Sequence, residues 1–262
     1  MIKNRVKEKI RQDELAIGTY VSLTDPAVAE IIGLAGYDAA FIDMEHTAFD
    51  IPLVEQMIRA CDLVGIVSLV RVPDNNPKMI LRVLESGAQG IQVPHISGRE
   101  DAESAVKAVR YAPLGERGMG GATRATRYGV IPMNEHKATS NEEILLIVMV
   151  EDTTAIEQIE DIASVDGIDL IAIGPTDLAQ ALGVEINNAL YRQTIEDISK
   201  KIRKIGKARM AFPLNLPAYP LGVTELIRLG VAYANCGPAD VSRLMESYRL
   251  QVQEVHDQLH IS

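Results

Sequence analysis

Ionisable side chains in this chain stand at the ends of short apolar runs. AAFID leads into Glu45 and His46, SLV into Arg71, and IQVP into His95. LLIVMV leads into Glu151, and LIAI leads into Gly174, Pro175, Thr176 and Asp177. A carboxylate placed directly after a run such as LLIVMV is costly to bury unless a cation faces it. Glu151 and Asp177 offer hard oxygen donors of the kind Mg²⁺ or Mn²⁺ takes. Two protein ligands leave most of about six coordination positions for substrate and water. A dedicated zinc site draws more often on several histidines. Arg71 supplies a permanent cation able to face a developing oxyanion. His46 is able to move a proton near neutral pH. The Gly174-Pro175-Thr176 turn opens a helix, and its backbone amides suit a substrate carboxylate.

Each residue also has an ordinary explanation. Glu151 can be half of a salt bridge. Asp177 can cap a helix beginning near Leu178. Arg71 can be a structural ion-pair partner, and His46 a satisfied core histidine. These explanations weaken jointly, because all four residues fall at equivalent ends of successive strands. Other motifs fail their context. Gly118, Gly120 and Gly121 follow no strand, so a nucleotide loop is not expected there. His256 and His260 are spaced i, i+4, but no HExxH surrounds them. The lysines are misplaced for a Schiff base. Lys78 and Lys107 fall in helical segments, Lys200, Lys201 and Lys204 in another, and Lys207 just before a strand.

Buried parallel strands read as apolar runs without alternation. Eight such runs are expected at 16–22, 39–43, 66–72, 90–94, 144–151, 170–174, 208–213 and 232–236, the seventh being the weakest. Helical patterns follow at 26–36, 53–63, 77–85, 99–110, 153–162, 190–205, 223–229 and 239–259. Asp25 before Pro26 is a cap-and-proline start. Strand and helix alternate eight times, which predicts a (β/α)8 barrel formed by residues 1–262 as one domain. An open doubly wound sheet is the competing architecture. In the barrel, all the singled-out residues share the C-terminal rim, where such enzymes act. The stretch 111–141 is long for a connection, so it is expected to be functional or to hold a short helix. It leaves from the opposite rim, so it must cross the barrel or meet a neighbouring subunit.

The composition narrows the function classes. Of 262 residues, 47% are hydrophobic, enough for a large core. The formal charge of −10 leaves no basic footprint for nucleic acid and disfavours anionic membranes. No secretory signal or transmembrane run is read in the chain. Cys61 and Cys236 have no metal-ligand spacing and are expected to be reduced thiols in a cytoplasmic protein.

In order along the chain stand AEIIGLAGYDAAFIDMEH, LVRVP, VLESGAQGIQVPHI, RYAPLGERG, VMVED and GIDLIAIGPTDLAQALG. Together these segments resemble the HpcH/HpaI aldolase family, the class II pyruvate-dependent aldolases, from Gly18 to about Gly237. The resemblance implies a TIM barrel and a hexamer built as a trimer of dimers, with the last helix exchanged between neighbours. It implies Mg²⁺, Mn²⁺ or Co²⁺ on Glu151 and Asp177, a substrate-binding role for Arg71, and catalysis by His46 assisted by Asp43. Backbone amides at Thr176 and Asp177, in the turn opened by Gly174, are to receive the pyruvate carboxylate. Four positions depart from the pattern. Met149 replaces a glutamine common in relatives, His95 a methionine, and Glu85 a subunit-facing aspartate. The strand-eight end, Asn235-Cys236-Gly237, differs as well.

The expected reaction is reversible cleavage of a 4-hydroxy-2-oxo acid, such as 4-hydroxy-2-oxoheptanedioate or a 2-keto-3-deoxy sugar acid, to pyruvate and an aldehyde. Two alternatives stand beside it. One is a lyase for a malyl- or citramalyl-type CoA ester, with Arg117, Arg124 and Arg127 meeting the CoA phosphates. The other is a non-catalytic oxo-acid-binding barrel.

Overall fold

The structure, a computed structural model, describes residues 3–186, 188–215 and 219–260. Eight parallel strands close into a barrel in sequence order. They are β1 (Ala16–Val21), β2 (Ala39–Asp43), β3 (Val67–Arg71), β4 (Gly90–Val93), β5 (Leu145–Val150), β6 (Leu170–Ile173), β7 (Arg209–Ala211) and β8 (Val231–Asn235). Closure is made by β1 against β8, with Gly18 opposite Asn235. The open-sheet alternative is thereby excluded. β7 is the shortest strand, and its register against β8 shifts between Met210 and Ala211.

Two apolar layers explain why the strands read as unbroken runs. Phe41, Leu69, Leu145, Ile147 and Leu170 point inward and fill the barrel. Ile42, Val70, Ile91, Leu146, Val148 and Ile171 point outward against the helices. Full burial of a Phe or Leu side chain contributes roughly 1.5–3 kcal/mol. Leu69→Ala should therefore cost about 2–5 kcal/mol, since the strands around it cannot collapse into the gap.

The helices start where the capping residues stand. Asp25, Asp50 and Asn76 each accept first-turn amides, with proline in the first turn that follows. The helix Ile51–Val64 stops at Gly65, whose φ of 73° is the left-handed conformation that ends helices. Two features differ from expectation, and the helix in the long connection meets it. The segment 153–162 is two short helices, Thr153–Glu157 and Ile159–Ala163. The long connection carries a 3-10 turn, Arg124–Thr126, and a helix, Met133–Glu143. A further helix, Arg5–Arg11, packs Val6 into the interior cluster. Asn4 caps it and also donates to the Gln89 and Glu143 carbonyls, at 2.9 and 3.0 Å. It closes the N-terminal mouth and leaves the C-terminal mouth for chemistry.

Candidate active site

The C-terminal mouth is organised around charge. Asp43 ends β2 and Arg71 ends β3, and the two are paired across the strands. Arg71 Nε donates to Asp43 Oδ1 at 2.8 Å, and Nη2 donates to Oδ2 at 2.6 Å. Its remaining nitrogen, Nη1, lies 3.0 Å from Glu45 Oε2. Both nitrogens of the His95 ring face carboxylates: Nε2 is 3.0 Å from Glu45 Oε1, and Nδ1 is 2.8 Å from Glu151 Oε1. A chain of polar contacts therefore runs Asp43, Arg71, Glu45, His95, Glu151, from β2 to the end of β5. Fork-to-fork pairing fixes the guanidinium plane in a way a lysine cannot reproduce.

Burial sets the electrostatics. Desolvation raises the Glu151 carboxyl above its ordinary value of 4.5. The His95 backbone N–H and ring oppose that rise, while the negative charges of Asp177 and Glu45 add to it. For Arg71, burial opposes the charge, and the bond to Asp43 with the charges of Asp43 and Glu45 more than offsets it. Glu151 reaches the mouth because Gly174 lets it pass, since a Cβ there would stand 2.6 Å from Glu151 Oε2. His95 holds φ at 55°, uncommon for a residue other than glycine, and this turn aims its backbone N–H at Glu151 Oε1, 2.9 Å away.

The predicted residues fall as follows. Glu151 is 5% exposed and Arg71 8% exposed, whereas Thr176 and Asp177 are exposed at the rim. The helix expected near Leu178 begins earlier, at Pro175, with Gly174 as its N-cap. Asp177 is thus inside the first turn and is not the cap; Pro175 supplies the preset φ that starts the helix. His46 is no core histidine: its ring is 64% exposed and lies 3.7 Å from Glu45 Oε2. Asp43 accepts the His46 backbone N–H at 3.4 Å, while its carboxylate is engaged by Arg71. The contact expected between the His46 ring and Asp43 is therefore replaced by a backbone bond, because the guanidinium outcompetes the ring for both oxygens.

Glu45 and His95 were visible at the rim in the sequence, but their bridging role was not. Gln92 and Tyr20 were missed altogether, although a glutamine inside IQV is a signal in itself, and Asn235 was seen only as the end of strand eight, with no role. With Arg71, Met149, Ala172 and Phe212 they line a small cavity of about 40 Å³ below the charged residues. Tyr233 Oη donates to Asn235 Oδ1 at 2.6 Å. Burial raises the Tyr20 phenol, partly opposed by Arg71.

A metal or cofactor must fit these residues. The carboxylates of Asp43, Glu45, Glu151 and Asp177 share this mouth, and Arg71 is the buried cation paired with Asp43 and Glu45. A hard divalent cation fits that excess of oxygen donors.

A closed parallel barrel with its ionisable groups gathered at the strands' C-terminal ends is the (β/α)8 enzyme class. Residues 16–212 match the HpcH/HpaI aldolase/citrate lyase model, and the chain belongs to that family. It is 37% identical to a hydroxypyruvate/pyruvate aldolase of Sagittula stellata, over 78% of this chain and 81% of the relative. It is 38% identical to a 4-hydroxy-2-oxovalerate aldolase of Novosphingobium aromaticivorans, over 75% of this chain and 76% of the relative. A solved family member from Burkholderia cenocepacia superposes with a TM-score of 0.86 at 30% identity, covering 97% of this chain and 99% of that one. The citrate synthase SbnG superposes at 0.85 and 28% identity, covering 98% and 99%. The chain is a carbon–carbon lyase of the pyruvate aldolase family.

Proposed function

We propose that the protein cleaves 4-hydroxy-2-oxo acids reversibly to pyruvate and an aldehyde, with Glu151 and Asp177 holding Mg²⁺, Mn²⁺ or Co²⁺. The observation that carries this reading is the excess of carboxylates over fixed cations at the mouth, beside an arginine aimed by two of them. When bound, the ion supplies Lewis acidity at the 2-oxo group. Arg71 donates to the 2-oxo oxygen as it gains enolate charge. The backbone amides of Thr176 and Asp177, in the turn opened by Gly174, bind the substrate carboxylate. His46 takes the proton of the 4-hydroxyl group. The C3–C4 electrons pass into the enolate, and the aldehyde leaves. Return of a proton to C3 gives pyruvate. Asp43 acts through Arg71, whose plane it fixes, rather than through the His46 ring.

The test is a retro-aldol screen over 4-hydroxy-2-oxo acids of varied length and terminal charge, with lactate dehydrogenase reporting pyruvate. Activity should vanish on chelation and return with Mg²⁺ or Mn²⁺. Full activity after exhaustive EDTA, or trapping by borohydride in the presence of pyruvate, would sink the reading. A malyl-thioester arm and a citrate-forming arm cover the other carbon–carbon bonds made or broken under the family's names. The thioester reading loses support from the long connection. Arg117 is buried over the Tyr111 ring, and Arg124 is paired with Asp62 at 2.5 Å. Pyruvate binding without methyl-proton exchange in D₂O would favour the non-catalytic alternative.

For the assembly, the reading is supported by the C-terminal helix, Asp240–His260. Leu244, Met245, Tyr248, Val252, Val255 and Leu259 are exposed along it at helical spacing. We read residues 1–262 as one barrel domain whose last helix is exchanged in a hexamer. Light scattering of the full chain should give six subunits. No helix among the described residues is long and apolar enough to cross a membrane. The proposed cytoplasmic setting is tested by cell fractionation.

A further inference from the structure

Gln92 is the polar exception inside the barrel. On β4 the residues Ile91 and Val93 face the helices, so Gly90 and Gln92 face inward. Gln92 is 5% exposed and pairs in register with Arg71 on one side and Ile147 on the other. Its side-chain amide borders the same small cavity as Arg71. Among the described residues, the one hydrogen bond of this side chain is from Nε2 to Met149 Sδ, at 3.0 Å. A thioether is a weak acceptor, and a primary amide has two N–H donors to place. A buried amide matched only to sulfur is poorly compensated for the loss of water. The amide therefore stands ready to give its donors to an oxygen entering the cavity beside Arg71.

We propose that Gln92 is a substrate-contacting residue whose carboxamide N–H donates, with Arg71, to the 2-oxo oxygen as it becomes the enolate oxygen. This rests on the oxo-acid reading above and deepens it. Met149 serves as the resting acceptor: its sulfur holds the amide in place and releases it at little cost when a charged oxygen arrives. A donor aimed at developing charge acts mainly on rate and only weakly on ground-state binding.

The test compares the parent with Gln92→Met and Gln92→Glu, using the metal-loaded full chain. Three quantities are read: exchange of pyruvate methyl protons in D₂O, the pyruvate dissociation constant, and Mn²⁺ affinity by electron paramagnetic resonance. Gln92→Met should slow exchange by roughly 10²-fold, the size seen when one oxyanion donor is removed. Mn²⁺ affinity and the melting temperature should hold, and pyruvate binding should weaken less than about threefold. Gln92→Glu, which keeps the length but loses the donor when ionised, should be at least as slow. Exchange in folded Gln92→Met within twofold of the parent overturns the proposal. So does a loss of exchange that merely tracks lost Mn²⁺ affinity, which would mark a structural role. A parent that neither binds pyruvate nor exchanges its protons instead removes the oxo-acid reading itself.

Discussion

The two mouths of this barrel are built from the same strands and handle charge in opposite ways. At the N-terminal mouth Asp38 and Asp169 each have two cationic partners. Asp38, fully buried, meets Arg5 at 2.9 Å and Lys9 at 2.7 Å. Asp169 meets Lys7 at 2.7 Å and Arg110 at 2.9 Å. At the C-terminal mouth, Asp43, Glu45, Glu151 and Asp177 gather around Arg71 and two exposed imidazoles. One end is satisfied by its own side chains; the other gathers more carboxylates than paired guanidinium or ammonium groups. This is the division of labour between stability and chemistry that the fold permits.

The contrast predicts that the two mouths fail differently. The largest effect should come from Glu151→Gln or Asp177→Asn, which remove a proposed ligand. Turnover should fall at least about 10³-fold, beyond the ~4 kcal/mol of a lost electrostatic stabiliser, with the fold intact. Retention of a tenth of the parent rate in either variant would exclude that residue from the proposed metal site. Asp38→Asn should do the reverse. Breaking a buried pair costs about 3–5 kcal/mol, which denaturant titration will read as a lower midpoint. The turnover of the folded fraction should be unchanged, and a selective drop in rate would erase the distinction between the mouths.

A smaller effect is expected at the bridge. His95→Ala frees Glu151 Oε1 from the ring and leaves only the backbone N–H to orient it. Removing an outer partner of a ligand typically weakens metal binding about 10-fold or more. Mn²⁺ titration reads this directly, and an unchanged dissociation constant would reduce the bridge to surface decoration. The smallest effect concerns stability against pH. The Glu151 carboxyl is raised on folding, mainly by burial. Its protonated form favours the folded state below the ordinary value of 4.5, and that advantage is lost as pH rises through the raised folded value. In metal-free protein at pH 7, Glu151→Gln should therefore raise the melting temperature by about 2–4 °C, for each kcal/mol relieved. The gain should vanish near pH 4. Equal gains at both pH values would point to packing instead.

How legible this was depended on the kind of signal. Strand β2 appears at its expected bounds, and the other strands differ at their ends by a residue or two, because an apolar run does not show where pairing stops. The plugging helix Arg5–Arg11 was invisible, since RVKEKIR buries a single residue, Val6. Its grip is made by Asn4, Lys7 and Lys9 on partners far along the chain, and no local pattern announces such pairs. The long connection announced a short helix by its length alone, because that helix has little amphipathic contrast; His136, Ser140 and Glu143 are its buried residues. Asp177 looked like a cap because caps are read from residue type, and Pro175 set the start three residues before Leu178.

By itself the sequence determined the alternation of strands and helices, and hence which ionisable residues share a rim. Apolar periodicity and chain order suffice for that, since parallel strands joined by helices place all their C-terminal ends together. Tertiary structure alone decided which oxygen faces which nitrogen. The Asp43–Arg71 fork, the His95 bridge and the buried Gln92 amide depend on strand register and on single turns such as that at His95. Pairing across a barrel joins residues tens of positions apart at distances near 3 Å, and residue spacing along the chain does not encode that precision.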